Sequence, residues 1–172
     1  MTTTYLDLIN RGAGYYPERT AIVFGDRSLT FRETHTLSNQ LAHSLMQRGV
    51  KRGDRVALLL NNSLYSVPVD FACVKAGINR VPLNARLSLN EHRKMLEETG
   101  CELLLYGADL SERASELRDA LPTLQCHGIG STDGGGDDLL ADAANQRTAN
   151  PDVAVEPDDV IVTLFTSGTT GT

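Results

Sequence analysis

Short apolar runs alternate along this chain with stretches that carry helix signals, and this alternation limits the possible folds more than any other feature. The clearest unit begins at Thr30 and Glu33, continues through apolar residues spaced three and four apart, and ends at Gly49. Thr and Glu at this spacing form a capping box, in which each side chain accepts a backbone N–H at the helix start. The apolar run 56–60 follows, and it is typical of a strand buried on both faces.

The same order of helix and strand repeats as far as residue 129. We predict further helices over 65–76, from a second capping box at Ser88 to Gly100, and over 110–121. Strands are predicted over 80–83, 103–106 and 124–129, and a hairpin is predicted at Gly25-Asp26. Alternating strands and helices joined by tight glycine turns indicate an α/β fold, with a mostly parallel sheet and flanking helices.

An acidic, glycine-rich segment over 130–157 interrupts this order. Residues 128–159 carry eight acids against one base, Arg147, whereas the whole chain has a net charge of −6. The segment also contains three consecutive glycines, at 134–136, and the turn-prone pair Asn150-Pro151. These features predict a solvated loop or linker, and its length marks either a crossover or a domain boundary.

Charge and residue spacing argue against several classes of partner. The residues outside 128–159 sum to +1 and form no clustered basic face, so we predict no nucleic-acid binding. The three cysteines and four histidines are scattered without metal-ligand spacing, and we expect the thiols to be buried and reduced. No apolar run approaches the roughly 20 residues that span a membrane, and no signal sequence is apparent, so we predict a cytoplasmic protein.

A loop of small hydroxyl residues follows the apolar run 160–165, which we predict to be one more buried strand. Because glycine backbones approach anions closely, and N–H groups and hydroxyls donate to phosphate oxygens, such a loop suits a polyphosphate. No lysine follows within the chain, so it is not a Walker loop. By composition alone, a flexible tail remains the alternative. The loop residues are Thr166, Ser167, Gly168, Thr169, Thr170 and Gly171.

In their order, these residues resemble the phosphate-binding signature of the AMP-forming adenylating enzymes, which include acyl-CoA synthetases, luciferases and peptide-synthetase adenylation domains. Three upstream segments, at 28–33, 49–57 and 75–84, are similar to further motifs of that superfamily and occur in the same order. The resemblance covers almost the whole chain from Tyr5. It implies that residues 1–172 are the N-terminal portion of the AMP-binding domain, within the large domain of an adenylate-forming enzyme.

The resemblance implies that the intact protein is an acyl-CoA synthetase. Such an enzyme uses ATP and Mg²⁺ to activate a carboxylic acid as an acyl-adenylate, and then transfers the acyl group to coenzyme A. By the same resemblance, the loop residues 166–171 would hold the β and γ phosphates, and this chain would supply no acid, base or nucleophile. Pro82-Leu83-Asn84 favours CoA ligases, because carrier-loading domains more often have Asp in the last position.

Two alternatives remain open at this point. One is an adenylation domain that loads a carrier protein, and the other is a structural fragment without catalytic activity. The family loop continues with Pro-Lys-Gly, and neither that lysine nor the family's downstream adenine and ribose contacts occur in this sequence. We therefore expect the 172-residue chain alone to be inactive.

Overall fold

A computed structural model describes residues 3–166 of the chain. Within that range no helix is long and apolar enough to cross a membrane. A 3-10 turn at Ala108–Leu110 precedes the fifth helix. In chain order the elements are α1 (Tyr5–Tyr15), β1 (Thr20–Phe24), β2 (Arg27–Thr30), α2 (Phe31–Gln47), β3 (Arg55–Leu59), α3 (Ser66–Lys75), β4 (Asn79–Pro82), α4 (Leu89–Thr99), β5 (Leu103–Gly107), α5 (Ser111–Ala120), β6 (Gln125–Ile129) and α6 (Leu139–Ala143).

Among the described residues, four strands form one parallel sheet in the order β4-β3-β5-β6. Strands β1 and β2 form a separate antiparallel hairpin that turns at Gly25 and Asp26, as predicted. The prediction of an α/β fold with a mostly parallel sheet and flanking helices is therefore confirmed. The carboxyl ends of the four parallel strands lie along one edge of the sheet, which is the usual place for ligand sites in such folds.

Capping boxes start the helices where local sequence signals are strongest. At Thr30 and at Ser88 the hydroxyl accepts the N–H of the residue three positions on, whose carboxylate accepts the cap N–H. Both boxes were predicted. A third one, formed by Thr4 and Asp7, starts α1, which the sequence reading missed because aspartate replaces the usual glutamate. Pro68 lies in the first turn of α3, where its missing N–H has no intrahelical partner to lose.

The core forms two apolar layers, one on each face of the sheet, because alternate residues of a strand point to opposite faces. Val56 and Leu58 of β3 pack on the side of α2, α3 and α6, whereas Ala57 and Leu59 pack on the side of α4 and α5. Leu104 and Leu105 of β5 divide in the same way. Cys73, Cys101 and Cys126 are buried free thiols, as expected.

The acidic segment is more ordered than a solvated loop. Residues 139–143 form α6, and Leu139 and Ala143 are fully buried against the α2 side of the sheet. Asp142 accepts hydrogen bonds from Ser44 and from Arg48, whose Nη1 lies 2.6 Å away. The Arg48 guanidinium lowers the pKa of Asp142. Leu139 and Ala143 lie four residues apart, which is about one helical turn. The prediction missed them because it rested on the acidic composition of the whole segment.

The prediction of a buried strand at 160–165 was wrong. Val162 forms one isolated parallel bridge with Arg80, but Val160 and Leu164 are 63% and 66% exposed. The segment runs along the outer side of the edge strand β4. An apolar run of strand length predicts burial only when another layer covers it, and within residues 3–166 none does.

We expect the 172-residue chain to associate in solution or to be only marginally stable, because Val160, Leu164 and Phe165 expose apolar side chains along a sheet edge. Sedimentation velocity over a range of protein concentrations should show species larger than a monomer. The double variant Val160→Thr/Leu164→Ser should shift the distribution towards monomer. A monodisperse monomer with a cooperative melt would contradict this expectation.

Candidate functional site

The segment that leads into the predicted phosphate loop is attached to the edge strand β4. The Arg80 N–H donates to the Ile161 carbonyl at 3.2 Å, and the Thr163 N–H donates to the Arg80 carbonyl at 2.8 Å. The Thr163 hydroxyl also donates to Asn79 Oδ1 at 3.1 Å. These bonds fix both the direction and the register of 161–163 beside β4.

Arg80 holds this segment with its side chain as well as its backbone. Its Nε donates to the Ile161 carbonyl at 2.9 Å, and its guanidinium forms an ion pair with Asp70 of α3. The Arg80 side chain is 8% exposed and lies 5.8 Å from the centroid of the Tyr5 ring. A nearly buried guanidinium with an ionic partner and a carbonyl acceptor is a well-satisfied anchor.

A second anchor lies at the start of the segment. Arg52 donates two hydrogen bonds to the Asp159 carboxylate, at 3.0 and 2.7 Å. The Glu156 N–H also donates to Asp159, at 2.9 Å. Hydrogen bonding by Arg52 lowers the pKa of Asp159. Asp159 therefore remains ionised and ties the segment to the turn that precedes β3.

The segment 161–163 runs parallel to β4, and thus towards the carboxyl ends of the strands. Thr166, four residues after Val162, is exposed and is the last described residue. Of the six residues predicted to hold phosphate, Thr166 lies within the described residues. Ser167, Gly168, Thr169, Thr170 and Gly171 lie outside them.

Two neighbouring strands also end in polar side chains at this edge. Asn61 follows β3 and its Nδ2 donates to Asp109 Oδ2 at 2.7 Å, after the end of β5. Asn84 follows β4, and its Oδ1 accepts the Arg86 N–H at 3.0 Å. Asn84 belongs to a motif that the sequence predicts, whereas no prediction from the sequence assigns a role to Asn61, Asp109 or Arg80. The sequence feature that could have identified Arg80 is the presence of a basic residue within a short apolar strand.

The described residues offer no preformed metal centre. Within 3–166 no group of three or more His, Cys, Asp or Glu side chains gathers where it could hold an ion. Burial raises the pKa of Cys73 to about 12 and that of Cys126 to about 11, so both thiols stay protonated at neutral pH. Neither is suited to act as a nucleophile or a ligand.

Lys75 belongs to a motif segment but is closed to ligands. Its side chain is 1% exposed, and Nζ donates to Asn39 Oδ1 at 2.6 Å and lies 3.2 Å from both the carbonyl and Nδ1 of His35. Asn39 in turn donates to the Thr148 carbonyl at 2.7 Å. Lys75 therefore joins α2 and α3, and through Asn39 it reaches the segment after α6.

We expect the stability of the chain to rise between pH 7 and pH 9. Burial lowers the pKa of Lys75 to about 7, whereas the unfolded chain keeps the ordinary value near 10.5, so in this window the unfolded state binds more protons. The slope is at most about 1.4 kcal/mol per pH unit. Burial also lowers the pKa of His35, to about 4, which acts in a different window, below pH 6.5.

Urea midpoints at pH 7.0 and 8.5 test this expectation, with low protein concentration to limit association. Lys75→Met should remove the rise, and Lys94→Met, which changes an exposed lysine, should keep it. The raised pKa values of the buried cysteines oppose the rise only above about pH 9. Equal slopes for the parent chain and Lys75→Met would contradict the assignment.

The sequence of this chain is similar to those of known proteins that share one family model. The family model described as AMP-binding enzyme matches residues 9–172. The putative acyl-CoA ligase YdaB of Bacillus subtilis is 33% identical over 156 residues, which are 88% of this chain and 30% of that protein. The fatty acid–[acyl-carrier-protein] ligase ScoC of Streptomyces coeruleorubidus is 32% identical over 160 residues, covering 92% of this chain and 30% of that protein.

A solved structure supports the same grouping. The anthranilate CoA ligase AuaEII, in complex with anthranoyl-AMP, superposes with a TM-score of 0.88 at 26% identity. The match covers 98% of this chain and 32% of that one. The chain thus spans about a third of the length of each of these three proteins.

Proposed function

Because this chain belongs to the AMP-binding enzyme family, whose members form adenylates, we propose that it is the N-terminal portion of an ATP-dependent, AMP-forming acyl-CoA synthetase. The observation that carries the proposal is the family match over residues 9–172. Relatives whose names identify them as acid–CoA ligases support it further. The 172-residue chain alone is proposed to be inactive, and a cytoplasmic location remains a prediction.

In the proposed reaction, a carboxylate oxygen of the acid attacks the α phosphorus of ATP. The bond between the α phosphorus and the bridging oxygen breaks, and pyrophosphate leaves with its electron pair. The thiolate of coenzyme A then attacks the acyl carbon of the adenylate and displaces AMP. The substrate carboxylate is itself the nucleophile, so this chain has to bind and orient the phosphates rather than supply a reacting group.

The loop residues 166–171 are proposed to hold the β and γ phosphates of ATP. Their backbone N–H groups and hydroxyls are donors, and such donors stabilise charge that develops on the leaving pyrophosphate. The parallel direction of 161–163 beside β4 supports this role, because the chain there runs towards the carboxyl ends of the strands, outside which ligands of open parallel sheets bind. Mg²⁺ bound with ATP would neutralise part of the phosphate charge. We assign no residue of this chain as its ligand.

A carrier-loading enzyme is the second candidate function. The similarity to ScoC, whose name gives an acyl carrier protein as its acceptor, is the observation that favours it. Both candidates share the adenylation step and differ in the thiol that receives the acyl group. Pro82-Leu83-Asn84 is the sequence feature that favours coenzyme A.

Pyrophosphate release from ATP tests the proposal. The longer protein that carries this chain and the 172-residue chain should be assayed side by side with a panel of fatty and aryl acids. Release by the longer protein, with thioester formed only after coenzyme A is added, is the expected result. Adenylation without transfer to coenzyme A would favour the carrier-loading alternative. No pyrophosphate release by the longer protein with any acid of the panel would contradict the proposed function.

A further inference from the structure

The predicted phosphate loop begins three residues after the segment that Arg80 holds. Thr163 donates its N–H to the Arg80 carbonyl, and the first loop residue is Thr166. An extended chain spans at most about 3.6 Å per residue, so Thr166 lies within roughly 11 Å of Thr163 in any conformation. The continuity of the chain therefore ties the start of the loop to the residues that Arg80 contacts.

Arg80 takes part in three of the hydrogen bonds that keep this segment beside β4. The Ile161 carbonyl accepts both the backbone N–H and the Nε–H of Arg80, at 3.2 and 2.9 Å. The third bond is the one from the Thr163 N–H, at 2.8 Å. Every residue from 160 to 166 is at least partly exposed, so hydrogen bonds contribute more than apolar packing to the docking of the segment.

The Arg80 guanidinium is itself fixed by two helices before it reaches the segment. Asp70 of α3 forms an ion pair with its Nη1, and the Tyr5 ring of α1 lies 5.8 Å from its central carbon. Because the guanidinium is planar, these contacts also set the direction of the Nε–H bond. A hydrogen bond from a charged donor shifts an equilibrium by about tenfold or more, so this bond is a large part of what docks 161–163.

We propose that Arg80 is a positioning residue for the ATP site, because it docks the segment 161–163 from which the predicted phosphate loop continues. This inference rests on the proposed function. The role requires no contact between Arg80 and ATP, since Arg80 acts through Ile161 and Thr163. If ATP binds only when the segment is docked, its apparent affinity falls in proportion to the docked fraction.

The test compares Arg80→Lys with Arg52→Met in the longer protein. Lysine keeps a positive charge for Asp70 but has no Nε–H, so the variant removes the side-chain bond to Ile161 without leaving a buried carboxylate partner uncompensated. We expect Arg80→Lys to raise the KM for ATP roughly fivefold, with the KM for coenzyme A nearly unchanged. Amide exchange at Thr163 should accelerate about tenfold, because its N–H is freed whenever the segment detaches.

Arg52→Met is the matched control. Arg52 also donates two side-chain hydrogen bonds to this part of the chain, but it does so earlier, at Asp159. Its loss leaves the bonds at 161 and 163 in place. The control should therefore keep the KM for ATP and the exchange rate at Thr163 close to the wild-type values, whatever it does to thermal stability.

The outcomes separate this inference from the function on which it rests. With an active wild type, an unchanged KM for ATP in Arg80→Lys would overturn the positioning role alone, whether or not exchange at Thr163 accelerates. Equal rises in the KM for ATP in Arg80→Lys and Arg52→Met would also overturn it, because the effect would then be unspecific. A wild type that releases no pyrophosphate with any acid would overturn the proposed function and this inference together.

Discussion

Gly136→Ala is expected to leave the isolated chain largely unfolded at 25 °C. A Cβ atom at this position would stand 1.5 Å from the Cys126 carbonyl oxygen and 2.6 Å from its carbon. Both atoms belong to the backbone of β6, which is held in the sheet by its pairing with β5. Neither can move aside as a flexible side chain would. Overpacking of this kind costs about 3 kcal/mol, which is a large part of the stability of a small domain.

Circular dichroism and urea unfolding of the parent chain and the variant measure this effect. Gly14→Ala is the matched control, because its Cβ would meet nothing within 4 Å and alanine favours the helical conformation of α1. We expect the control to be at least as stable as the parent. Equal unfolding midpoints for Gly136→Ala and the parent would show that Gly136 does not lie against the Cys126 carbonyl.

Loss of both hydroxyls from Thr169 and Thr170 is expected to reduce kcat/KM for pyrophosphate release by roughly 100-fold to 1,000-fold in the longer protein. Valine is the suitable replacement because it matches threonine in shape and removes only the hydroxyl. Under the proposed function, these hydroxyls donate to phosphate oxygens of ATP. Their loss therefore weakens the stabilisation of the charge that develops on the leaving pyrophosphate.

A half-reaction separates this effect from misfolding. A preformed acyl-adenylate carries no β or γ phosphate, so the double variant should still transfer its acyl group to coenzyme A at close to the wild-type rate. Thr132→Val, which changes an exposed threonine in the acidic segment, should leave both half-reactions unchanged. Equal loss of both half-reactions in the double variant would count against a phosphate-specific role for the two threonines.

The sequence predicted those helices and strands whose bounds are set by residues close together in the chain. The capping boxes at Thr30 and Ser88 define the starts of α2 and α4, and Gly100, at a φ of +64°, ends α4 in the left-handed conformation that favours glycine. The apolar runs marked β3 and β5 as strands buried on both faces. Each of these features depends on residues within a few positions of one another, so it can be read from the sequence.

Other features depend on residues that are distant in sequence. Arg80 bonds to Ile161 across 81 positions, and Asn39 bonds to Thr148 across 109. The residues next to Arg80 and Asn39 in the sequence do not predict which distant residue each will bond to. The exposure of Val160 and Leu164 depends likewise on whether another layer covers the outer side of β4. An apolar run specifies a strand-like segment but not its neighbours.

By itself, the sequence determined the α/β class, the hairpin and the starts of α2 and α4, because capping and periodicity are short-range properties. It also predicts a glycine- and hydroxyl-rich loop suited to phosphate. Tertiary structure decided the strand order β4-β3-β5-β6, the docking of α6 inside an acidic segment, and the contact of Arg80 with Ile161 beside β4. These arrangements arise from packing between segments far apart in the chain, where burial requires each polar atom to find a partner in space rather than in sequence.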